Sequence, residues 1–380
     1  MRAALTRRAG RGYAAPMPGS ERVITVMGAT GYTGRLIAAQ LRRRGVPFAI
    51  AARAAGKLEE LSASLGGADT LVADIGDRAS LARLAERSRV LINCAGPFTD
   101  LGEPVVLAAI QHGAHYLDTT GEQPFIKTMR AHDPAAKERG VAVVPAMAFE
   151  VALSDCAAAV AGDGFREIQA IQVTYAVALK ASQGTQRTAA RMLAGPGYAY
   201  RGGEWVEEPP ARRRVTVDFP PPIGRVAAVS FPSAEIMTIP MHQRVREVQV
   251  FMQAPAVLAR ILVAAAPVLP VVLRGAGALA SRLVGEGTGG PDEPARAATR
   301  FHIAVDVRGL REGRATRRRV LLSGADPYGL TAVIAVRAAE WMCRDDFHAS
   351  GVLPPAGAVP PRDFLDSLQA DGVTYTITEG

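Results

Sequence analysis

The chain has 380 residues, 48% of them hydrophobic and 21% charged, with 44 basic against 36 acidic residues for a formal charge of +8. That length is a prior for two domains of roughly 150 residues each; 38 Gly and 26 Pro without a Gly-X-Y period exclude collagen, and the apolar fraction excludes wholesale disorder. Four of the basic residues are Lys and the other 40 are Arg spread along the whole chain, which is not the concentrated footprint of a nucleic-acid binder.

Residues 1–20 hold Arg2, Arg7, Arg8 and Arg11 and no acid. Without an apolar run of signal-peptide length they read as a disordered basic leader, with Met17 an equally simple start. From residue 21 to 149, short apolar runs alternate with helix-length amphipathic segments, the rhythm of a parallel sheet covered on both faces. Strands are expected at Val23–Met27, Phe48–Ala52, Thr70–Ala73, Val90–Asn93, His115–Asp118 and Val141–Pro145, apolar enough to be buried on both sides. Helices are expected at Gly34–Arg44, Lys57–Leu65, Ser80–Glu86, Pro104–His112 and Pro124–Arg139. Gly45, Gly66, Gly113 and Gly140 follow four of them, where a left-handed cap is favoured. Six strands in this order describe a doubly wound Rossmann-type α/β domain.

The first strand runs straight into Gly28-Ala29-Thr30-Gly31-Tyr32-Thr33-Gly34, which opens a helix. Such a loop lets backbone amides approach a pyrophosphate at the helix N-terminus. The second strand ends in Arg53, and no acid occurs between Glu21 and Glu59 to accept ribose hydroxyls. A guanidinium there grips a 2′-phosphate, so the expected cofactor is NADP(H). Asp74, ending the third strand, reads equally as an adenine contact or a helix cap. The fourth strand leads into Cys94-Ala95-Gly96-Pro97, expected under the ribose and nicotinamide. Cys94, Cys156 and Cys343 form no C-x-x-C pair, and Gly113 interrupts His112 and His115. Neither a disulfide framework nor a metal site is expected, and a reducing cytoplasm fits.

From 150 to 327 the pattern changes to longer strands with interleaved polar residues, at Ile168–Val177, Arg213–Val217, Arg244–Met252, Phe301–Arg308 and Arg319–Leu322. This points to an α+β second domain with a mostly antiparallel sheet. Within it, segment 254–284 contains 13 successive Ala, Val, Leu, Ile or Pro residues between Arg260 and Arg274. At about 1.5 Å per residue the run spans ~20 Å, too short for a ~30 Å hydrocarbon core. A buried helical hairpin is the first reading, with a lid over an acyl cavity or a peripheral membrane contact as alternatives. Residues 328–380 begin with a helix, Tyr328–Cys343, that is expected to return to the first domain.

The loop GATGYTG, the strand end AAR, the segment NCAGPF and the segment GAHYLDTTGE from Gly113 to Glu122 resemble the saccharopine dehydrogenase-like oxidoreductases, and within them the trans-acting enoyl reductases. The resemblance is specific over residues 22–150. It implies an NADP-binding fold, hydride chemistry and an enoyl or acyl substrate derived from a polyketide or fatty acid. None of the eight tyrosines has Lys four residues on, and there is no G-x-S-x-G or Walker loop, so short-chain-dehydrogenase, serine-hydrolase and P-loop chemistry lack their apparatus.

A reductase needs a proton donor near the hydride acceptor. Asp118 and Glu122, after the fifth strand, and Tyr175, in the second domain, are the expected catalytic groups, while Ser182 and Thr185 read first as a helix cap. An acidic carrier protein delivering a tethered chain, or a homodimer, is compatible with the Arg-rich exterior. A saccharopine-reductase-like imine reductase, with Arg187 and Arg191 aimed at substrate carboxylates, and a non-catalytic NADP-binding regulator are the rival readings.

Overall fold

A computed structural model describes residues 22–177, 181–194, 197–267 and 289–380. The leader and residues 268–288 of the apolar segment lie outside the described residues. The first sheet begins with β1 (Val23–Met27), β2 (Phe48–Ala52), β3 (Asp69–Val72), β4 (Ser88–Asn93), β5 (His115–Asp118) and β6 (Ala142–Val144). All of its neighbouring strands are parallel, and the chain crosses over between β3 and β4 to place β4 beside β1. Helices α1 (Tyr32–Arg44), α2 (Ala55–Ser64), α3 (Arg78–Arg87) and α4 (Phe98–His112) make the crossovers. Gly45 and Gly113 take left-handed conformations at the ends of α1 and α4, where a Cβ would be strained.

Two helices differ from the pattern-based expectation. α4 starts at Phe98, six residues before Pro104, because a remote carboxylate caps its first amides, as described below. The expected helix Pro124–Arg139 is broken into α5 (Gln123–Met129), a short 3-10 turn and α6 (Asp133–Glu138). Pro134 sits in the first turn of α6, where its missing N–H costs nothing, whereas inside one continuous helix it would remove a bond.

After α7 (Phe149–Gly162) comes the second sheet, with β7 (Glu167–Val177), β8 (Gly197–Arg201), β9 (Glu204–Glu208), β10 (Arg214–Asp218), β11 (Arg225–Ser230), β12 (Val245–Gln253), β13 (Arg300–Arg311) and β14 (Arg314–Ala325). It is antiparallel except where β12 runs parallel to β7. Helices α8 (Gln183–Ala194), α9 (Glu235–Thr238) and α10 (Ala256–Ala265) sit on its connections. The last segments serve both sheets. β15 (Gly351–Val352) pairs in parallel with β6, and β16 (Thr374–Glu379) pairs antiparallel with β14. The first sheet therefore has seven strands rather than six, in the order β15-β6-β5-β4-β1-β2-β3.

Helix Pro327–Met342 packs on α1, β4 and β5 on one side and on α7 on the other, while α7 packs on β7, β13 and β14. Both helices are buried on nearly every face, as a helix apolar all round must be. One continuous core thus runs from Ile24 and Ile50 through Ala335 and Leu153 to Ile303 and Val320. A cleft lies between the two sheets at the carboxyl ends of β1, β4 and β5.

Candidate functional site

That cleft is a cavity of about 840 Å³ shared by both sheets, within the range of small-molecule and cofactor sites. Its floor on the first-domain side is the glycine loop. Gly28 has φ +77, and a Cβ added there would stand 2.8 Å from Ala95 N. A Cβ on Gly34 would stand 2.3 Å from Gly28 O. Only glycine fits either place, and the loop can lie flat against the β4 turn. Gly31 begins α1 without a side-chain cap, so the first amides of the helix face the cavity as an anion site. These features fit a pyrophosphate.

Gly28, Thr30, Gly31, Tyr32, Thr33, Arg53, Asp74 and Cys94–Pro97 all line the cavity. Gly34 does not line it; it packs beneath the loop. Arg53 is exposed at the end of β2, where a 2′-phosphate can reach it. Asp74 accepts a hydrogen bond from Gly76 N at 2.8 Å, and the cap of α3 is Asp77, which accepts from Ala79 N. The helix-cap reading of Asp74 is therefore corrected to a turn beside the cavity. Burial pushes the Cys94 thiol far up, consistent with a small filler rather than a nucleophile. His115 Nδ1 accepts from Ala142 N at 3.0 Å.

Second-domain groups close over the loop. The Tyr32 hydroxyl donates to Pro291 O at 2.6 Å, and its ring meets Tyr328 edge-on at 5.1 Å. The Tyr328 hydroxyl in turn accepts from Ser182 N at 2.7 Å and pairs with Thr185 Oγ1 at 2.9 Å. Ser182 Oγ accepts from Thr185 N at 3.2 Å, so the capping role expected of Ser182 is present. The far wall is apolar, with Val177, Met192, Phe231 and Met252. Arg187 borders the same space; the side chain of Arg191 is outside the described residues.

The three expected catalytic groups separate. Asp118 is buried away from the cavity, and its Oδ1 accepts from Thr120 N and Ala146 N, both at 2.9 Å. It shapes the loop after β5, and burial raises its carboxyl to about 7 against those bonds. Glu122 accepts from Phe98 N at 3.0 Å and Thr99 N at 2.9 Å and bonds the Thr99 hydroxyl. It is the cap of α4, reaching across from another loop, and does not line the cavity. Its expected catalytic role is corrected to this structural one, because a carboxylate already committed to two helix amides is not placed to serve substrate. Tyr175 does border the cavity. Its hydroxyl bonds Glu235 Oε1, Ser154 Oγ at 3.0 Å and Glu150 O at 3.1 Å.

Glu150 was not among the expected site residues, yet it lines the cavity beside Phe149 and Thr331. The signal was available: it follows the sixth strand, and ligands of doubly wound sheets lie past the strand ends. It lacked a motif, and α7 reads as an ordinary buried helix.

Residues 24–144 match the family described as the saccharopine dehydrogenase NADP-binding domain. A saccharopine dehydrogenase-like oxidoreductase of Mus musculus is 31% identical over 150 residues, covering 33% of this chain and 34% of that protein. A lipid droplet localized protein of Caenorhabditis elegans is 35% identical over 140 residues, 33% of each chain. A Mycobacterium tuberculosis protein named as a trans-acting enoyl reductase is 33% identical over 139 residues, covering 35% of this chain and 33% of its own length. The matched stretch thus spans about a third of the curated relatives. Apo saccharopine dehydrogenase (L-Glu forming) from Saccharomyces cerevisiae superposes over 94% of this chain and 100% of its own, with a TM-score of 0.62 at 10% identity. At that identity the likeness is one of fold, and it extends through both domains.

Proposed function

With residues 24–144 an NADP-binding domain of the saccharopine dehydrogenase kind, we propose that the whole chain is an NADPH-dependent reductase acting on the activated double bond of an apolar, enoyl- or acyl-type substrate. The observation that carries this reading is the single cavity bounded by the glycine loop and Arg53 at one end and by Val177, Phe231 and Met252 at the other. When bound, NADPH supplies a hydride. The chain's part is to hold the pyrophosphate on the amides of Gly31 and the start of α1, to meet the 2′-phosphate with Arg53, and to exclude water through the Tyr32–Tyr328 contact. The apolar wall of Val177, Met192, Phe231 and Met252 gives an acyl chain a place to pack, while Arg187 on the same cavity is the group that would serve the carboxylate of the rival amino-acid substrate. The name of the mycobacterial relative supports the enoyl class. Delivery by an acidic carrier protein accords with the net positive charge.

The test is NADPH consumption with enoyl thioesters, imines and ketones in parallel, alongside calorimetric titration of NADPH and NADH. Turnover of the enoyl probe with NADPH is the expected result. Absence of heat from either coenzyme refutes the reading outright, and preference for an amino-acid imine moves the substrate class.

A second proposal concerns location. In α10, Ala259 packs inward on Ala211 and Val229, while Val257, Leu258 and Ile261 are 66%, 45% and 58% exposed. We propose that this outward apolar face rests on a lipid surface. No helix among the described residues is long and apolar enough to cross a membrane, so the contact would be peripheral.

A further inference from the structure

We propose that Glu150 is the proton donor of the reduction, positioned by Tyr175, Ser154 and Glu235. The proposal rests on the reductase reading above. Glu150 stands in the first turn of α7, and its carboxyl group faces the loop after β5: a Cβ on Gly121 would lie 3.8 Å from Glu150 Oε1. Gly121 and Glu150 border the same cavity, on the side where strand ends present ligands.

Behind Glu150 is a set of hydrogen bonds that holds its backbone still. Ser154 Oγ donates to Glu150 O at 2.8 Å and the Tyr175 hydroxyl approaches the same oxygen at 3.1 Å, while both hydroxyls also meet Glu235 Oε1. Glu235 is completely buried. Burial first, and the charge of Glu235 second, push the Glu150 carboxyl up to about 7, against the pull of a backbone amide. Such a group is still partly protonated at neutral pH and acidic enough to release the proton, the combination a general acid needs. The other titratable groups on the cavity are less suited. Burial drives Cys94 and Tyr175 well up, Asp74 is turned toward Gly76, the Tyr32 hydroxyl is spent on Pro291, the Tyr328 hydroxyl is held by Ser182 N and Thr185, and the guanidinium groups of Arg187 and Arg53 are not general acids.

The step balances simply. Two electrons and a proton equivalent arrive at one atom of the substrate double bond as hydride. The other atom keeps the pair from the broken π bond and takes the proton as the Glu150 O–H bond breaks. The carboxylate left behind is reprotonated from water.

Two measurements test this. Difference infrared spectra of the NADP⁺ complex, titrated from about pH 5 to about pH 9, should show protonated carboxyls lost near 7, of which the Asp118 band persists in Glu150→Gln and the Glu150 band is missing from it. A Glu150 ionised throughout that range overturns the proposal. In parallel, NADPH oxidation is followed with a trans-2-octenoyl thioester. Glu150→Gln should lower kcat about 100-fold or more with NADPH affinity unchanged by fluorescence titration, and Glu150→Asp should recover part of it. Wild-type kcat should fall as pH rises through about 7, a dependence the Gln variant lacks. An active wild type with a Gln variant within threefold of it removes Glu150 alone; a wild type that oxidises NADPH with no alkene, imine or carbonyl probe removes the reductase reading and the donor with it.

Discussion

On the proposed reading, the cofactor preference rests on a single side chain, Arg53. A charge-assisted bond to phosphate is worth ~1.5–3 kcal/mol, so Arg53→Asp should weaken NADPH by about 10- to 100-fold while sparing NADH, measured by calorimetry; an unchanged ratio takes the phosphate away from Arg53. Gly34 is the opposite case, a residue defined by what it lacks. With Gly28 O only 2.3 Å from any Cβ placed there, Gly34→Val should abolish binding of both coenzymes, and retained affinity in a folded variant contradicts the loop's role. Asp118 gives a pH signature. Burial holds it and Glu150 up to about 7 in the folded protein, whereas unfolded carboxyls titrate near ~4. Their contribution to stability is complete below the unfolded value and is lost as pH rises toward about 7. His115, pulled down to about 4 by burial, acts in the other direction, but two carboxyls outweigh one imidazole. Denaturant midpoints should therefore fall between about pH 5 and about pH 7, and Asp118→Asn should flatten that fall. The turn of the glycine loop was legible because its backbone geometry is set locally in the chain. Glu122 was misread because the amides it caps lie 24 and 23 residues away in sequence, a pairing no spacing rule contains.

Elements were legible wherever one physical rule governed them. The inner parallel strands β1 and β2 are largely apolar and buried, in contrast to the exposed edge strand β3, and α1 and α4 end at the left-handed Gly45 and Gly113. Illegible were pieces whose existence depends on a partner from elsewhere: the two-residue β15, which exists only beside β6, and the first turn of α4, which exists because Glu122 satisfies it. That dependence is measurable. Glu122→Ala should cost ~1–2 kcal/mol of unfolding free energy by urea denaturation, with hydrogen exchange accelerated at the start of α4; unchanged exchange there contradicts the cap. For α10, Val257→Asp combined with Ile261→Asp should leave the fold intact, since both side chains point outward, yet eliminate co-sedimentation with phospholipid vesicles. Equal sedimentation by wild type and variant ends the lipid-surface proposal.

At the scale of the molecule, the two sheets are joined by α7 and helix Pro327–Met342, which share one interior. The sequence announces two folding patterns but not this common interior, because an all-round apolar helix looks the same whether it lies in one domain or between two. Ile334 is fully buried in that seam, and Ile334→Ala should cost ~2–5 kcal/mol and lower the thermal transition of both sheets together; loss of one sheet alone contradicts a shared core. The chain also weaves back, with β15 closing the first sheet and β16 bordering the second. A chimera made at a single crossover near residue 144 would therefore carry a nucleotide-binding half from one parent and its outermost ribbon from the other. Breeding new specificities from such proteins requires a second splice, which brings the native ribbon along with the half it completes.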